Sequence, residues 1–266
     1  MKSKLRVGHL DYVNTLPLYT AMRQGDVPVD VEWVSGSPSV LNDLIYRKQL
    51  DVSFVSSAEY LQHKSDYVEL SPFCIAAYGF VYSVLLYHKG DIQDMDNKTI
   101  GVTAQSLTSV HLLSVLCHCY WHIQPHMKVE RDLAKLKAYD SFMLIGDEAL
   151  LHPEFPGYTT VDLSQAWKYA TGFPFVFGLL VASAEAMEKR RDDILGFVEN
   201  LKLSLKWAEA NPETIVTLAK KKCPISEEKL RLYFKTLYYK VGKSEEHSLA
   251  LFDELRACEL TLQTIY

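Results

Sequence analysis

The fold of this chain is decided first at residues 10–18, which read LDYVNTLPL. The stretch follows a short apolar segment at residues 5–8, predicted as a strand, and leads into a helix predicted at residues 16–23. Backbone N–H groups are unpaired at a helix start, and Asn14 adds an amide that both donates and accepts hydrogen bonds. In open α/β sheets ligands bind at such strand-to-helix junctions, so Asn14 is a candidate binding residue. The alternative is that Asn14 only caps the helix.

Length and composition are those of an ordinary globular protein. The 266 residues are 48% hydrophobic and 23% charged, which suffices for two modest lobes or one large domain. A net charge of −5 argues against a nucleic-acid partner, and no apolar run approaches the roughly 20 residues that span a bilayer. No secretory signal is visible, and the five cysteines are irregularly spaced. We therefore expect a cytoplasmic protein with reduced thiols and no membrane association.

Strand and helix patterns alternate through the first part of the chain, which predicts an α/β fold with a mostly parallel sheet covered by helices. The predicted elements are strands at 5–8, 29–34 and 51–55, and helices at 16–23, 38–47 and 58–62. An apolar and aromatic stretch follows at 73–87 and is long enough for one extended strand or a hairpin.

A second alternation follows and ends in a helical region. Its predicted elements are strands at 98–102, 142–146, 160–163 and 176–182, and helices at 109–120, 164–169, 194–208, 212–221, 226–238 and 245–258, with a short helix from 149. Two α/β units in tandem predict two lobes with a central ligand cleft. The first lobe is expected at 1–86 plus 178–266, with the C-terminal helices, and the second at 87–177.

Small hydroxyl side chains recur where predicted strands give way to helices. Backbone N–H groups at a helix start attract carboxylates and phosphates, and hydroxyls add donors without bulk. The candidates are Ser37, Ser39, Ser56, Ser57, Ser106, Thr108 and Ser109. The glycine and lysine spacing of a phosphate-binding P-loop is absent. The pattern predicts a site for a small carboxylate ligand, although each hydroxyl alone is as consistent with an ordinary N-cap.

Several motifs occur together in a fixed order along nearly the whole chain. They are DYVNTLPL at 11–18, SPS at 37–39 with LN at 41–42, LDVSFVSSAEY at 50–60, LIGDEAL at 144–150 and WKYATGFPFVFG at 167–178. In this order they resemble the chorismate dehydratases of the futalosine pathway of menaquinone biosynthesis. The chain departs from that pattern at 178–181, which read GLLV where the family usually has a Trp, and at 169–170, which lack an acidic neighbour.

The resemblance implies a fold like the type II periplasmic binding proteins, used by a cytosolic enzyme. It implies the removal of water from chorismate, a dicarboxylate, to give 3-[(1-carboxyvinyl)oxy]benzoate, without a metal or organic cofactor. The family's key Asn falls on Asn14, for which a catalytic role is expected. Tyr12 beside it is a candidate for substrate contact, and Thr171, Gly172 and Phe175 are expected to shape the cleft.

Three other interpretations of the sequence remain open. The same fold could serve a non-catalytic cytosolic sensor or binding protein for small anions. The related dihydroxynaphthoate-forming enzyme of the pathway would need a catalytic His in the cleft, and only His9 and His111 lie near the candidate segments. A metal site at His118, His122 and His126, which are spaced four apart, is disfavoured because Pro125 interrupts the predicted helix.

Overall fold

The computed structural model describes the backbone of residues 3–265 and the side chains of residues 3–257. It confirms the predicted α/β class. The six elements predicted at the start of the chain are all present, with bounds that differ by no more than two residues. They are β1 (Leu5–Leu10), α1 (Leu16–Gln24), β2 (Val31–Gly36), α2 (Pro38–Tyr46), β3 (Val52–Ser56) and α3 (Ser57–Gln62).

Local sequence signals explain where these first elements begin and end. Pro17 and Pro38 lie in the first turns of α1 and α2, where a missing backbone N–H costs nothing. Helix α1 ends at Gly25, whose φ of 90° lies in the left-handed region that glycine adopts without strain. Every residue of β3 is buried, as expected for a central strand with both faces covered.

The remaining elements alternate until residue 171 and are mostly helical after residue 183. They are β4 (Tyr67–Ala77), β5 (Val84–His88), β6 (Thr99–Thr103), α4 (Leu107–Val115), β7 (His126–Glu130), α5 (Leu133–Leu136), β8 (Ser141–Ile145), α6 (Gly146–Leu151), β9 (Thr159–Asp162), α7 (Leu163–Thr171), β10 (Phe175–Ser183), α8 (Ala184–Ala210), α9 (Pro212–Lys222), α10 (Glu227–Thr236), β11 (Leu237–Lys240) and α11 (Lys243–Ile265).

Three sequence-based assignments were wrong. Residues 73–87 form neither one strand nor a hairpin, because β4 and β5 belong to different sheets. The helix predicted at 226–238 ends at Thr236 and is followed by β11, which pairs beside β4. The helix predicted at 109–120 ends at Val115 and continues as a wider π-helical turn over Leu116–Trp121.

Two sheets organise the chain. The order of the six-stranded sheet is β11-β4-β10-β3-β1-β2, in which β1 runs parallel to β2 and β3 while β10 runs antiparallel to β3. The order of the five-stranded sheet is β7-β6-β8-β5-β9, in which β6 runs parallel to β7 and β8 while β5 runs antiparallel to β8 and β9. The parallel pairs are connected through helices, as a strand-helix alternation requires.

Contacts divide the chain into two compact units. The first unit comprises the chain up to Phe73 together with Gly178–Lys235, and the second comprises Cys74–Phe177 together with the chain from Thr236. Residues 74–86 and the C-terminal helix, which were expected in the first lobe, therefore group with the second unit. There α11 packs against α4. No helix in the described part of the chain is long and apolar enough to cross a membrane.

A buried carboxylate holds the first unit together beside its sheet. Asp51, which is 4% exposed, lies just before β3 and accepts hydrogen bonds from Arg6 of β1, at 2.7 Å from Nη2, and from Arg190 of α8, at 3.2 Å from Nη1. Arg190 also donates to the backbone carbonyl oxygens of Ser3 and Lys4. Because two guanidinium groups share one buried carboxylate, Asp51 couples β1, β3 and α8.

Candidate functional site

Five of the predicted site residues follow the ends of three neighbouring strands in the first unit. Asn14 follows β1, Ser37 and Ser39 follow β2, and Ser56 and Ser57 are the last residue of β3 and the first of α3. Because β1 runs parallel to β2 and β3, the carboxyl ends of the three strands lie at one edge of the sheet. This is the edge at which open α/β sheets bind ligands.

Asn14 lies in a turn that its neighbour Thr15 holds in place. Residues Val13–Thr15 form one turn of 3-10 helix that leads directly into α1. The buried Thr15 hydroxyl is 2.9 Å from the carbonyl oxygens of both Leu10 and Tyr12, and the Thr15 N–H donates to Tyr12 O at 3.2 Å. Asn14 itself is half-buried with its Oδ1 shielded from solvent, and Tyr12 is also half-buried. The turn therefore presents the Asn14 amide from a fixed backbone.

An ion pair ties the same segment to α9. Lys222 Nζ donates to Asp11 Oδ1, and this hydrogen bond lowers the pKa of the Asp11 carboxyl. Lys222, the last residue of α9, is thus paired with the segment that carries Asn14. The negative charge of Asp11 is thereby balanced by a neighbouring cation.

The hydroxyl groups of Ser37 and Ser39 do not act as helix caps. Ser37 is the residue before α2, yet its side chain accepts no hydrogen bond from the start of the helix. The two hydroxyl oxygens are 3.2 Å apart; Ser37 is half-buried and Ser39 is exposed. The alternative that Ser37 is a simple side-chain cap is therefore wrong. The pair offers two adjacent hydroxyls beside the end of β2.

Ser56 and Ser57 differ from each other in their surroundings. The Ser56 hydroxyl accepts a hydrogen bond from Asn42 Nδ2 at 3.1 Å, and the Ser56 N–H donates to Asn42 Oδ1 at 3.2 Å. Ser56 retains 7% exposure, whereas Ser57 has none. Ser56 thus stays at the edge of the sheet, while the side chain of Ser57 is enclosed.

In the second unit the hydroxyl-rich turn before α4 forms a helix cap. Ser106 Oγ accepts from Ser109 N at 3.1 Å and donates to Ser109 Oγ at 2.9 Å. Thr108 and Ser109 are 1% and 3% exposed. The side chain of Ser106 therefore acts as an ordinary N-cap of α4.

Thr171, Gly172 and Phe175 build the end of α7 and the core behind it. The Thr171 hydroxyl donates to Trp167 O at 2.8 Å and accepts from Phe173 N at 3.1 Å. Gly172 ends the helix with a φ of 77°. Phe175 is buried, with its ring centroid 5.3 Å from that of Trp167. These contacts give all three residues a structural role in the second unit.

The two histidines nearest the candidate segments, the buried His9 and the half-buried His111, both have a lowered pKa. Burial, together with the Arg23 guanidinium, whose Nη1 is 3.2 Å from His9 Nδ1, lowers the pKa of His9 to about 4. Burial, with a smaller effect of Arg256, lowers the pKa of His111 to about 4 as well. Since a general base works best with a pKa near the working pH, neither histidine is suited to that role.

The histidines spaced four apart do not share a helix face. His118 lies in the π-helical turn, His122 ends that turn in the left-handed conformation with φ 55°, and His126 begins β7. Among the residues that the structure describes, no group of three His, Cys, Asp or Glu side chains is arranged to hold a metal ion.

Asn42 and Thr15 support the site, and neither role was predicted from the sequence. Asn42 is a polar residue on the buried face of α2, between Leu41 and Ile45, and is 6% exposed. A polar side chain inside an apolar helix face must find a hydrogen-bond partner, and that was the available signal. Thr15 had no comparable signal, because its two acceptors are backbone carbonyls of the turn.

The chain has the periplasmic-binding-protein fold. A solved structure from Candida albicans, described as exhibiting that generic fold, is similar over 98% of this chain and 95% of its own, with a TM-score of 0.66 and 14% identity. A protein of Archaeoglobus fulgidus is similar over 96% of this chain and 97% of its own, with a TM-score of 0.80 and 18% identity. At such identities the likeness shows the fold alone.

The chain belongs to the menaquinone biosynthesis family, whose model matches residues 5–257. A chorismate dehydratase of Thermus thermophilus is 34% identical over 184 residues, which cover 63% of this chain and 66% of that relative. A chorismate dehydratase of Campylobacter jejuni is 26% identical over 259 residues, covering 95% of this chain and 96% of its own. The family resemblance inferred from the ordered motifs is therefore confirmed.

Proposed function

We propose that this protein is a chorismate dehydratase, a carbon–oxygen lyase that converts chorismate to 3-[(1-carboxyvinyl)oxy]benzoate. The observation that carries the proposal is the position of Asn14, on a turn fixed by Thr15 at the ligand-binding edge of the first sheet. The two chorismate dehydratases among its relatives support the choice of substrate. The proposal includes a cytoplasmic location and involves no metal or organic cofactor.

The reaction needs no strong protein base. The C3–H bond electrons form the new ring double bond, the C4–O bond breaks with its electron pair on oxygen, and the departing hydroxide takes up the proton lost from C3 to leave as water. Because the ring becomes aromatic, one of the substrate's own carboxylates can accept the C3 proton. Asn14 would orient the substrate and donate a hydrogen bond to the leaving hydroxyl. The low pKa of His9 agrees with a role for it outside catalysis.

Hydroxyl groups around Asn14 supply the proposed substrate contacts. In the first unit these are Ser37, Ser39 and Ser56, with Tyr12 beside them. Hydroxyl groups can donate hydrogen bonds to the carboxylates of a dianionic substrate. Substrate contacts remain a prediction for the other candidate residues, which are Ser57, Ser106, Thr108, Ser109, Thr171, Gly172 and Phe175.

Turnover of chorismate by the purified protein tests the proposal. The protein, freed of metal by a chelator, is incubated with chorismate and the products are separated by chromatography with mass detection. We expect loss of one water, abolished or greatly slowed in Asn14→Ala. Asn200→Ala, the same substitution at a half-buried position within α8, is the matched control and should retain wild-type turnover.

The same assay separates the alternative functions. Chorismate that binds but keeps its mass would point to a sensor or binding protein. Undiminished turnover by Asn14→Ala would remove Asn14 from the mechanism while leaving the reaction in place. A protein that neither binds nor converts chorismate would contradict the proposed function, and other small carboxylates would then be screened.

A further inference from the structure

We propose that Asn42 is a positioning residue that directs the Ser56 hydroxyl to donate its hydrogen to a carboxylate of the substrate. This inference rests on the proposed function and assigns a task to a residue that would not itself touch the substrate. Asn42 lies on the buried face of α2 and Ser56 ends β3, and the two residues are 6% and 7% exposed.

The hydrogen bonds between the two residues determine which way the Asn42 amide faces. A backbone N–H can only donate, so the Asn42 atom that receives the Ser56 N–H must be the carbonyl oxygen. The other amide atom is then the nitrogen, which donates to Ser56 Oγ at 3.1 Å. The second contact is therefore a hydrogen bond in which Ser56 accepts, and its direction follows from the first.

This direction leaves the hydrogen of the Ser56 hydroxyl for another acceptor. A serine hydroxyl has one hydrogen, and within residues 3–257 the Ser56 hydroxyl donates to no acceptor. Ser106 differs, because its hydroxyl hydrogen is already donated to Ser109 Oγ. A carboxylate is the strongest acceptor that a small ligand offers, and a charge-assisted hydrogen bond is about twice as strong as a neutral one.

Asn42→Asp reverses the hydrogen bond with almost no change of shape. One carboxylate oxygen still accepts the Ser56 N–H, but the other can no longer donate, so the Ser56 hydroxyl would turn to donate to it. The substrate then loses this donor in the bound and transition states alike. We expect KM for chorismate to rise roughly tenfold or more with kcat nearly unchanged, as for the loss of a hydrogen bond to a charged group.

A double-mutant cycle separates positioning from simple charge repulsion. Ser56→Ala should raise KM by a similar factor, and Asn42→Asp should add less than about twofold in the Ser56→Ala background, because the residue it acts through is gone. Asn200→Asp is the control for an added carboxylate. If Asn42→Asp does not fold, as judged by circular dichroism, Asn42→Ala takes its place in the same cycle.

Each outcome decides the proposal. An unchanged KM in Ser56→Ala, or an Asn42→Asp effect that persists in full without the Ser56 hydroxyl, overturns it while wild-type turnover still supports the dehydratase. A wild-type protein that neither binds nor converts chorismate overturns both. A rise in KM in both single variants, with almost no further rise when Asn42→Asp is added to Ser56→Ala, supports the positioning role.

Discussion

The buried imidazole of His9 should make the first unit less stable in mild acid. His9 is 7% exposed, and its ring centroid is 5.2 Å from that of Tyr19. Its charged neighbours are Arg23 and Lys222, which lower the pKa, and Asp11, which raises it, while the Ser35 hydroxyl lies 3.4 Å from Nδ1. Because an arginine can only donate, the neutral ring accepts the hydrogen bond from Arg23, and a protonated ring could not.

The size of the effect follows from the difference in pKa between the folded and unfolded states. The pKa is about 4 in the folded protein and returns on unfolding to 6.5, the ordinary value for a solvated histidine. Between these values the unfolded chain binds a proton that the folded chain does not, so the free energy of unfolding falls as the pH drops below about 6.5. For His9 alone the loss is about 2 kcal/mol at pH 5 relative to pH 7.5.

His9→Gln removes this titration while keeping a side chain that can accept from Arg23. Urea unfolding followed by circular dichroism at pH 7.5 and pH 5 measures the change. The free energy of unfolding of the variant should fall less than that of the wild type over this range, by about 2 kcal/mol. His126→Gln, which alters an exposed imidazole on β7, is the matched control and should fall like the wild type. Equal falls in His9→Gln and wild type would refute the reasoning.

Three further substitutions test the supports of the first unit. Thr15→Val removes the hydroxyl that fixes the turn of the proposed catalytic residue, and should cost about 1 kcal/mol of stability and lower kcat for chorismate; unchanged kcat would argue against the positioning role of the turn. Asp51→Asn removes the negative charge that two arginines share, and should lower the free energy of unfolding measured in urea by about 3 kcal/mol. An unchanged free energy of unfolding would show that the ion pairs make no net contribution to stability. Gly178→Ala would place a Cβ 2.7 Å from the carbonyl oxygen of Val55 in the neighbouring strand, and should lower the melting temperature through about 1–3 kcal/mol of overpacking. Gly196→Ala, where a Cβ meets nothing within 4 Å, is its control and should leave stability equal or higher.

Much of the fold was predictable because its signals are local. Prolines in the first turns of α1 and α2, the glycine at the end of α1 and the continuous apolar run of β3 set bounds that the structure reproduces within two residues. Strands without such signals were missed. β7 is an edge strand with no fully buried residue, and its alternation contains only two apolar residues, Met127 and Val129, while β11 is four residues long and directly follows a helix.

The candidate site shows the same division between local and tertiary information. Asn14 and the serines after β2 and β3 are visible in the sequence because they follow apolar strands, and the ordered motifs place the chain in its family. The sequence alone did not separate hydroxyls that cap helices from hydroxyls that remain available. Ser106 is a side-chain cap and Ser37 is not, although both precede a helix after a strand.

The sequence by itself thus determined the strand-helix alternation, the family and the position of Asn14, because each depends on residues close together in the chain. Only the tertiary structure decided that β4 and β5 enter different sheets, that Asn42 meets Ser56 and that burial lowers the pKa of His9. Strand pairing, hydrogen-bond direction and desolvation all depend on which distant residues meet, and packing against those residues determines the result.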